Sequence, residues 1–495
     1  MKKYKLKIFN LIKRLGFFSF STITLQVANL IKGFLIPLFL NPDMFGILNK
    51  LNLILCYGSY LDLGASNGMG RYLPQHLGSK DIEKAQKVAD STLTINILSS
   101  CMFFLLVVLL VISMPHNFNR EITAGIIIFS LVLIAVNIKK FFSLYLRSKN
   151  DFKNLSNLNI IDGIFGLFIT ATLLFHFKIY GIFLANLLSG IMCVLFLFFS
   201  TGYKYQGAFD SYSLKKILSI GLPMLILGLL FLLGNTLDRL VIINFFDNQQ
   251  FGYYAIGFTI RASVSTLPQS IATFYAPKVF QNEKCNEEIF KYYIEKHAIA
   301  FILINIITVA FLFPIIPYMI CKFLPQYSAS IALTKVFLLS IIFYGVSSFS
   351  SNFLIMQKKF KLLYVIYILP IAISLFLYLA SVKYGLGIFS ISMIFLIYSM
   401  VSSSAIILSS LILICSDKAE AIRLFLRMLF MSVYGFSSIL LVSLILKFTG
   451  IAGLNRPSFY CISYTILFSL MFLLLIKISF PALSLNLMKF EDRNR

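Results

Sequence analysis

Residues 155–200 read LSNLNIIDGIFGLFITATLLFHFKIYGIFLANLLSGIMCVLFLFFS, two apolar runs, 155–176 and 179–200, that meet at Phe177-Lys178. An α-helix needs roughly 20 apolar residues to cross the hydrocarbon core of a bilayer, so each run is long enough for one crossing and the pair predicts a helical hairpin. Both runs are continuously apolar, whereas a barrel strand would alternate, so helices are expected. Arg147, Lys149 and Lys153 precede the hairpin and Lys204, Lys215 and Lys216 follow it, while its turn holds Lys178 alone. Because Lys and Arg are retained on the cytoplasmic side, the turn is expected outside and both open ends inside.

The same alternation runs along the whole chain. Fourteen spans are expected at 16–40, 45–66, 90–113, 122–146, 155–176, 179–200, 217–246, 251–276, 296–321, 328–350, 362–382, 385–415, 424–446 and 458–479. Of the 43 Lys and Arg residues, 32 fall in the amino-terminal arm (Lys2, Lys3, Lys5, Lys7, Lys13, Arg14), in every second gap after it, and at the carboxyl end. Those alternate gaps carry 4, 5, 3, 4, 3 and 3, the five including Lys139 and Lys140. The intervening gaps hold only Arg120, Lys178, Lys322, Lys383, Lys447 and Arg456. Both termini are therefore expected to be cytoplasmic. Composition leads to the same class: of 495 residues 59% are hydrophobic and 13% charged, with mean hydropathy +0.88, far too apolar for a soluble domain.

A net charge of +24 raises the possibility of nucleic acid, but its placement on short loops assigns it to topology and to anionic lipid headgroups. The opening MKKYKLKIFNLIKRLGFFSF has a basic region before an apolar one, yet the apolar part is too long and no small-residue cleavage site follows. An uncleaved first span is expected. No gap has room for a nucleotide-binding domain, and no G-x-x-x-x-G-K-[ST] loop is present, which excludes an ATP-driven pump on this chain. The outer gaps are shorter still, opposing a polymerase or ligase. No paired carboxylates, nucleophile with base, or metal cluster stands where substrate and water would meet, so no enzymatic chemistry, metal or cofactor is expected. Six cysteines (Cys56, Cys101, Cys193, Cys321, Cys415, Cys461) lie in spans and Cys285 in a loop, and His76, His116, His176 and His297 are scattered.

Laying residue 46 on residue 252 reveals an internal repeat. Phe45-Gly46-Ile47 faces Phe251-Gly252-Tyr253, and about thirty residues on, Tyr72-Leu73-Pro74 faces Tyr275-Ala276-Pro277. Six spans separate the copies, so both enter the membrane in the same sense, as bundles related by an axis along the membrane normal. The expected organisation is all-α and polytopic: a bundle of spans 1–6 in residues 1–200, a second of spans 7–12 in 214–415, and two extra spans in 424–480.

At these residues the chain resembles the polysaccharide and O-antigen lipid-linked oligosaccharide flippases of the multidrug/oligosaccharidyl-lipid/polysaccharide exporter superfamily. The resemblance covers nearly the whole chain. It rests on Gly16-Phe17 through Phe45-Gly46 to Tyr60-Leu61-Asp62-Leu63-Gly64 and Arg71-Tyr72-Leu73-Pro74, with Ile220-Gly221-Leu222-Pro223, Asp238-Arg239 and Phe251-Gly252-Tyr253-Tyr254. It implies two V-shaped six-helix bundles around a central cavity and a cargo of undecaprenyl diphosphate bearing an oligosaccharide, such as an O-antigen or capsule repeat unit. The family carries no catalytic residue.

A charge left in hydrocarbon costs at least a few kcal/mol and tends to face a cavity or a partner. Five cations and three acids qualify: Lys32, Lys50, Arg239, Arg261 and Lys335 on spans 1, 2, 7, 8 and 10, and Asp62, Asp162 and Asp238 on spans 2, 5 and 7. The cations form the expected substrate-binding set, with Arg239 and Arg261 best suited to grip phosphate oxygens in pairs. The acids are candidates for proton or sodium coupling. Each has an alternative. Lys50 and Lys335 lie close enough to the outer boundary to snorkel, Lys32 and Asp238 occupy equivalent repeat positions and could pair, Arg261 could serve a buried ion pair, and Asp62 and Asp162 could cap kinked helices. Tyr60 and Tyr254 are candidates to stack on sugars. The expected function is transfer of undecaprenyl-diphosphate-linked oligosaccharide to the outer leaflet by alternating access, ahead of a polysaccharide polymerase. The alternatives are a cation-coupled drug exporter of the same superfamily, which would favour acids in the cavity, and a membrane polymerase or ligase.

Overall fold

The computed structural model describes residues 2–113, 120–207, 209–280, 287–415, 417–448 and 462–472, and their side chains except at 2–15, 266–297, 345–346, 348–349 and 356. Cys285, Cys461, His116, Arg456 and the basic carboxyl end lie outside the described residues, as do the side chains of the amino-terminal arm, of Tyr275-Ala276-Pro277 and of His297.

Helices account for nearly all of it. In chain order they are α1 (Lys2–Phe39), α2 (Pro42–Gly58), α3 (Ala65–Gly78), α4 (Ile82–Ser113), α5 (Arg120–Ser148), α6 (Phe152–Ile160), α7 (Gly166–Thr201), α8 (Ser211–Phe245), α9 (Asn248–Phe280), α10 (Glu287–Phe323), α11 (Ile331–Met356), α12 (Phe360–Lys383), α13 (Gly387–Ile414) and α14 (Lys418–Phe448). A further helix, α15, covers Ile462–Phe472, the described part of the last expected span. Ten helices among the described residues are long and apolar enough to cross a membrane, and one of them, Phe152–Thr201, holds both spans of the hairpin. With that doubling, the α2–α3 segment, α9 and α15, the helices match the fourteen expected spans. Six of the expected spans fall in α1–α7 and six in α8–α13.

Tight polar turns join the helices. Asn41 caps α2 by accepting from the Met44 amide at 2.9 Å, with Pro42 in the first turn. Asp247 does the same for α9, accepting from the Gln250 amide at 2.6 Å. The hairpin reverses at Lys178, whose φ of 50° and ψ of −125° are non-helical. Beyond the reversal Gly181 lies against the first arm so closely that a Cβ there would stand 2.1 Å from the Leu173 carbonyl oxygen.

Two features depart from the expected spans. The second span is broken: α2 ends at Gly58 and α3 begins at Ala65, and between them Leu63 (φ 50°) and Gly64 (φ 81°) are left-handed. The Asp62 carboxylate stabilises the break by accepting from the Gly64 amide at 3.2 Å and the Ser66 amide at 3.1 Å. In the fifth span, Ile161–Phe165 form a π-helical turn that carries Asp162, the kind of irregularity that often marks a functional position.

The chain divides into two compact units. The first comprises Met1–Ser263 with Phe360–Ile388. Around one end of it pack Tyr72, Phe141, Phe142, Tyr145, Tyr203 and Ile217, with Tyr145 and Tyr203 edge to face at 5.1 Å. The segment from α7 to α8 is laid against α4: the Tyr203 hydroxyl donates to Asp90 Oδ1 and the Gln206 amide donates to Asp90 Oδ2 at 3.1 Å. The Asp210 amide donates to Ser91 Oγ at 3.1 Å. Burial, followed by the Asp90 contact, pushes the Tyr203 phenol well above the usual tyrosine range. The second unit comprises Val264–Lys359 with Phe389–Arg495. Within it Phe337 meets Phe395 at 5.4 Å, and α15 docks through Tyr464, which stacks on Phe313 at 6.2 Å and donates to the Ile439 carbonyl at 3.2 Å.

Candidate functional site

Tyr254, Phe258 and Arg261 follow one another at i, i+4 and i+7 along α9, and this spacing puts all three on one face. That face meets Asp238 and Arg239 of α8. The Asp238 side chain is fully buried, and the Tyr254 hydroxyl donates to its Oδ2 at 2.5 Å. Arg239 donates from Nη2 to the Asn235 carbonyl at 2.8 Å and lays its guanidinium 3.6 Å from the centroid of Phe258. Its Nε stands 4.0 Å from Asp238 Oδ1, too far for a hydrogen bond, and neither atom has another hydrogen-bond partner. Arg239 and Arg261 both act on Asp238 through their charges, and both are buried. Two guanidiniums thus act on one buried carboxylate in a low-dielectric setting. From α2, the Tyr57 hydroxyl reaches Thr236 Oγ1 at 2.6 Å, and Cys56 lies within reach of the Arg239 charge.

A second set of charges is organised by α5. The count of five for the gap after the fourth span includes Lys139 and Lys140, which the expected span 122–146 itself contains; the structure places both inside α5, each neutralising an acid at a helix irregularity. Lys140 Nζ donates to Asp62 Oδ2 at 3.0 Å and to the Ser59 carbonyl at 2.7 Å, so it fastens the break between α2 and α3. Lys139 Nζ donates to Asp162 Oδ2 at 2.8 Å, and the Cys193 thiol donates to Asp162 Oδ1 at 3.6 Å. Lys32 of α1 faces the same π turn: a Cβ on Gly166 would stand 2.7 Å from its Nζ and 3.1 Å from Ser189 Oγ. The charged neighbours of Lys32 are Asp162 and Lys139, so it belongs with Asp162 and not with its repeat counterpart Asp238.

The remaining expected residues lie elsewhere. Lys50 is half-buried on α2, and its charged neighbours are Asp43 and Asp247, the acids of the two capped turns. Lys335 belongs to the second unit, where its ammonium sits 5.4 Å from the ring centroid of Phe313. Tyr254 has no exposed face for a sugar, being fully buried as the donor to Asp238. Tyr60 is half-buried, with its ring against Gly228 and Lys140 Nζ 5.6 Å from its centroid. Within the first unit the four cations thus occupy three settings, with Arg239 and Arg261 sharing one. Phe258 and Asn235 were not singled out from sequence, although Phe258 shares the i, i+4, i+7 spacing with Tyr254 and Arg261, and Asn235 stands one helical turn before Arg239.

The sequence matches the family model described as "Polysaccharide biosynthesis protein" over residues 38–320. No curated protein matches it. Among solved structures, one described as "Lipid II flippase MurJ, inward closed conformation" aligns over 93% of this chain and 98% of that one, with 15% identity and a TM-score of 0.68. An inward-facing multidrug resistance MATE family transporter of the MOP superfamily aligns over 79% of this chain and 94% of its own, with 16% identity and a TM-score of 0.65. A MOP superfamily transporter from Pyrococcus furiosus, whose binding pocket is described as having reverse polarity, aligns over 81% and 95%, with 16% identity and a TM-score of 0.58. At such identities the likeness is one of fold: an all-α polytopic membrane architecture.

Proposed function

The chain belongs to the polysaccharide biosynthesis protein family, and from that premise we propose that it carries undecaprenyl-diphosphate-linked oligosaccharide from the inner to the outer leaflet of the bacterial inner membrane. The observation that supports this cargo is the buried cluster in which Arg239 and Arg261 are gathered around Asp238. Guanidiniums bind phosphate oxygens bidentately, and their attraction for a diphosphate grows as water is excluded. Asp238 holds their place between cargoes. Its Oδ1 and Arg239 Nε, apart at 4.0 Å, leave the guanidinium an edge to offer to phosphate.

In this reading the bundles in residues 1–200 and 214–415 alternate around the cargo, 424–480 accommodates the polyprenyl tail, and both termini are cytoplasmic. Lys32, beside Asp162, faces the sugars, and Lys50 and Lys335 contribute longer-range attraction. Ion coupling falls to Asp162 or Asp238, because Asp62 is committed to its backbone donors and Lys140. The product is a lipid-linked unit for O-antigen or another surface polysaccharide, taken up by a polymerase.

The test is deletion of the gene in its host, with leaflet-selective labelling and mass spectrometry of the undecaprenyl-linked pool. Completed units trapped on the cytoplasmic face support the proposal. Unchanged pools refute it and point to drug export, and unpolymerised units in the outer leaflet point to a polymerase. In the complemented strain, Arg239→Lys and Arg261→Lys keep the charge but lose the paired grip, and each lowers export about tenfold or more at normal protein level, the equivalent of ~1.4 kcal/mol. Full export by both variants would remove these residues from the diphosphate.

A further inference from the structure

The two Phe-Gly positions of the sequence repeat meet each other's helix starts reciprocally. A Cβ on Gly46 of α2 would lie 2.0 Å from the Asn248 carbonyl oxygen and 3.2 Å from the Gly252 amide nitrogen. One on Gly252 of α9 would lie 1.9 Å from the Pro42 carbonyl oxygen. A second such meeting occurs between α3 and α8. A Cβ on Gly221 would lie 2.1 Å from the Gly64 carbonyl oxygen, one on Gly68 2.1 Å from the Ile217 carbonyl oxygen, and one on Gly64 2.6 Å from the Gly221 carbonyl oxygen. Gly64 and Gly68 form a G-x-x-x-G face, the spacing that lets membrane helices approach backbone to backbone. In all these cases the obstructing atom is main chain, which no side-chain rotation can move aside.

Helices of the first repeat and of the second are therefore joined twice, once beside the capped turns at Asn41 and Asp247 and once beside the break at Ser59–Gly64. The Tyr57–Thr236 contact lies between the two joints along the chain. Contacts of this kind are shallow: Cα–H···O and dispersion terms contribute only a few tenths to about 1 kcal/mol each. They add little to the side-chain packing around them, in which Ile217 of α8 lies with Tyr72 of α3, and they form in one register only, because any other register sets a side chain against main chain. The inner joint contains no salt bridge among its glycines, and the outer one is flanked by Lys50 between Asp43 and Asp247.

We propose that these two glycine joints are the gates of the transport cycle, the Gly46–Gly252 joint closing the outer side and the Gly64/Gly68–Gly221 joint the inner side, opened one at a time and both shut in this structure. The proposal rests on the transport reading but not on the identity of the cargo. Cys56, half-buried on α2 between the joints, is a native reporter.

The experiment uses the full chain with Cys56 as its sole cysteine, in membrane vesicles of each orientation, labelled with an impermeant maleimide and without cargo. A methyl forced into a close-packed contact shifts the open-to-closed ratio by about tenfold. Gly46→Ala and Gly252→Ala raise labelling from the outer side by that factor, and Gly68→Ala and Gly221→Ala raise it from the inner side. Labelling unchanged on both sides in variants of wild-type helix content, or raised on the wrong side, overturns the proposal. Should the alanine variants fail to fold, Asp247→Asn keeps the cap on α9 and removes only the charge facing Lys50, and outer labelling rises about twofold. No rise in that variant also overturns it. Accessibility is read without export, so a wrong cargo assignment leaves this result standing, and a wrong gate leaves the cargo assignment standing.

Discussion

Lys139 and Lys140 are neighbours in sequence with opposite energetic roles, which a pair of methionine substitutions separates. Asp62 is fully buried and accepts from three donors, the Gly64 amide at 3.2 Å, the Ser66 amide at 3.1 Å and Lys140 Nζ at 3.0 Å. Lys140→Met keeps the stem and removes the charge, leaving a carboxylate with no exposed surface and two backbone donors. Breaking a buried pair in this way costs ~3–5 kcal/mol. Asp162 keeps 22% of its side-chain exposure and Lys139 keeps 31%, and the charge of Lys32 also acts on the same carboxylate. Lys139→Met therefore costs about 1 kcal/mol or less. The double variant Asp62→Asn with Lys140→Met removes both charges and retains an acceptor for one backbone amide, so it recovers most of the loss, with about 1–2 kcal/mol remaining. The assay is thermal unfolding in detergent followed by far-ultraviolet circular dichroism. A Lys139→Met loss as large as that of Lys140→Met, or a double variant no more stable than Lys140→Met alone, would refute this account of the break. The same double variant also tests coupling. If it folds and exports glycan normally, Asp62 carries no ion; if it folds and does not export, Asp62 has a role beyond the turn.

Two further substitutions probe the connections. Tyr203→Phe withdraws a donor from the fully buried Asp90 and costs ~1–3 kcal/mol, loosening the segment between α7 and α8 and raising its proteolysis. Because the folded chain keeps a phenolic proton that the unfolded chain releases, this contribution is complete below about pH 10 and declines as pH rises beyond it, so the alkaline fall in unfolding temperature is shallower in Tyr203→Phe; equal slopes would contradict it. Lys178→Gly relieves a backbone conformation suited to glycine, φ 50° and ψ −125°, and raises stability by about 1 kcal/mol, where a decrease would mean that the lysine head stabilises the turn.

Span length is a local property, which is why the hairpin of residues 155–200 and its reversal at Lys178 are legible from composition alone. The break at Ser59–Gly64 is not, although Asp62-Leu63-Gly64 contains the residues of a turn, because the apolar run continues through it and its closing partner Lys140 is 78 positions away. Lys139 is 23 positions from Asp162. Counting gaps reports parity, and parity survives the error: with both lysines moved into α5, Arg147, Lys149 and Lys153 still outnumber Lys178 across the hairpin. What the move changes is the charge of the interior. Lys32, Lys139 and Lys140 now gather around Asp62 and Asp162, as Arg239 and Arg261 gather around Asp238, so helices of the first repeat carry a lysine set and helices of the second an arginine set, each built on buried or half-buried acids. Under the proposed function, exchanging ammonium for guanidinium between the two sets divides the work. The arginines suit the paired oxygens of phosphate and the lysines a more adaptable, hydrated partner. An amphiphile with a compact diphosphate and a bulky sugar head presents both demands at once.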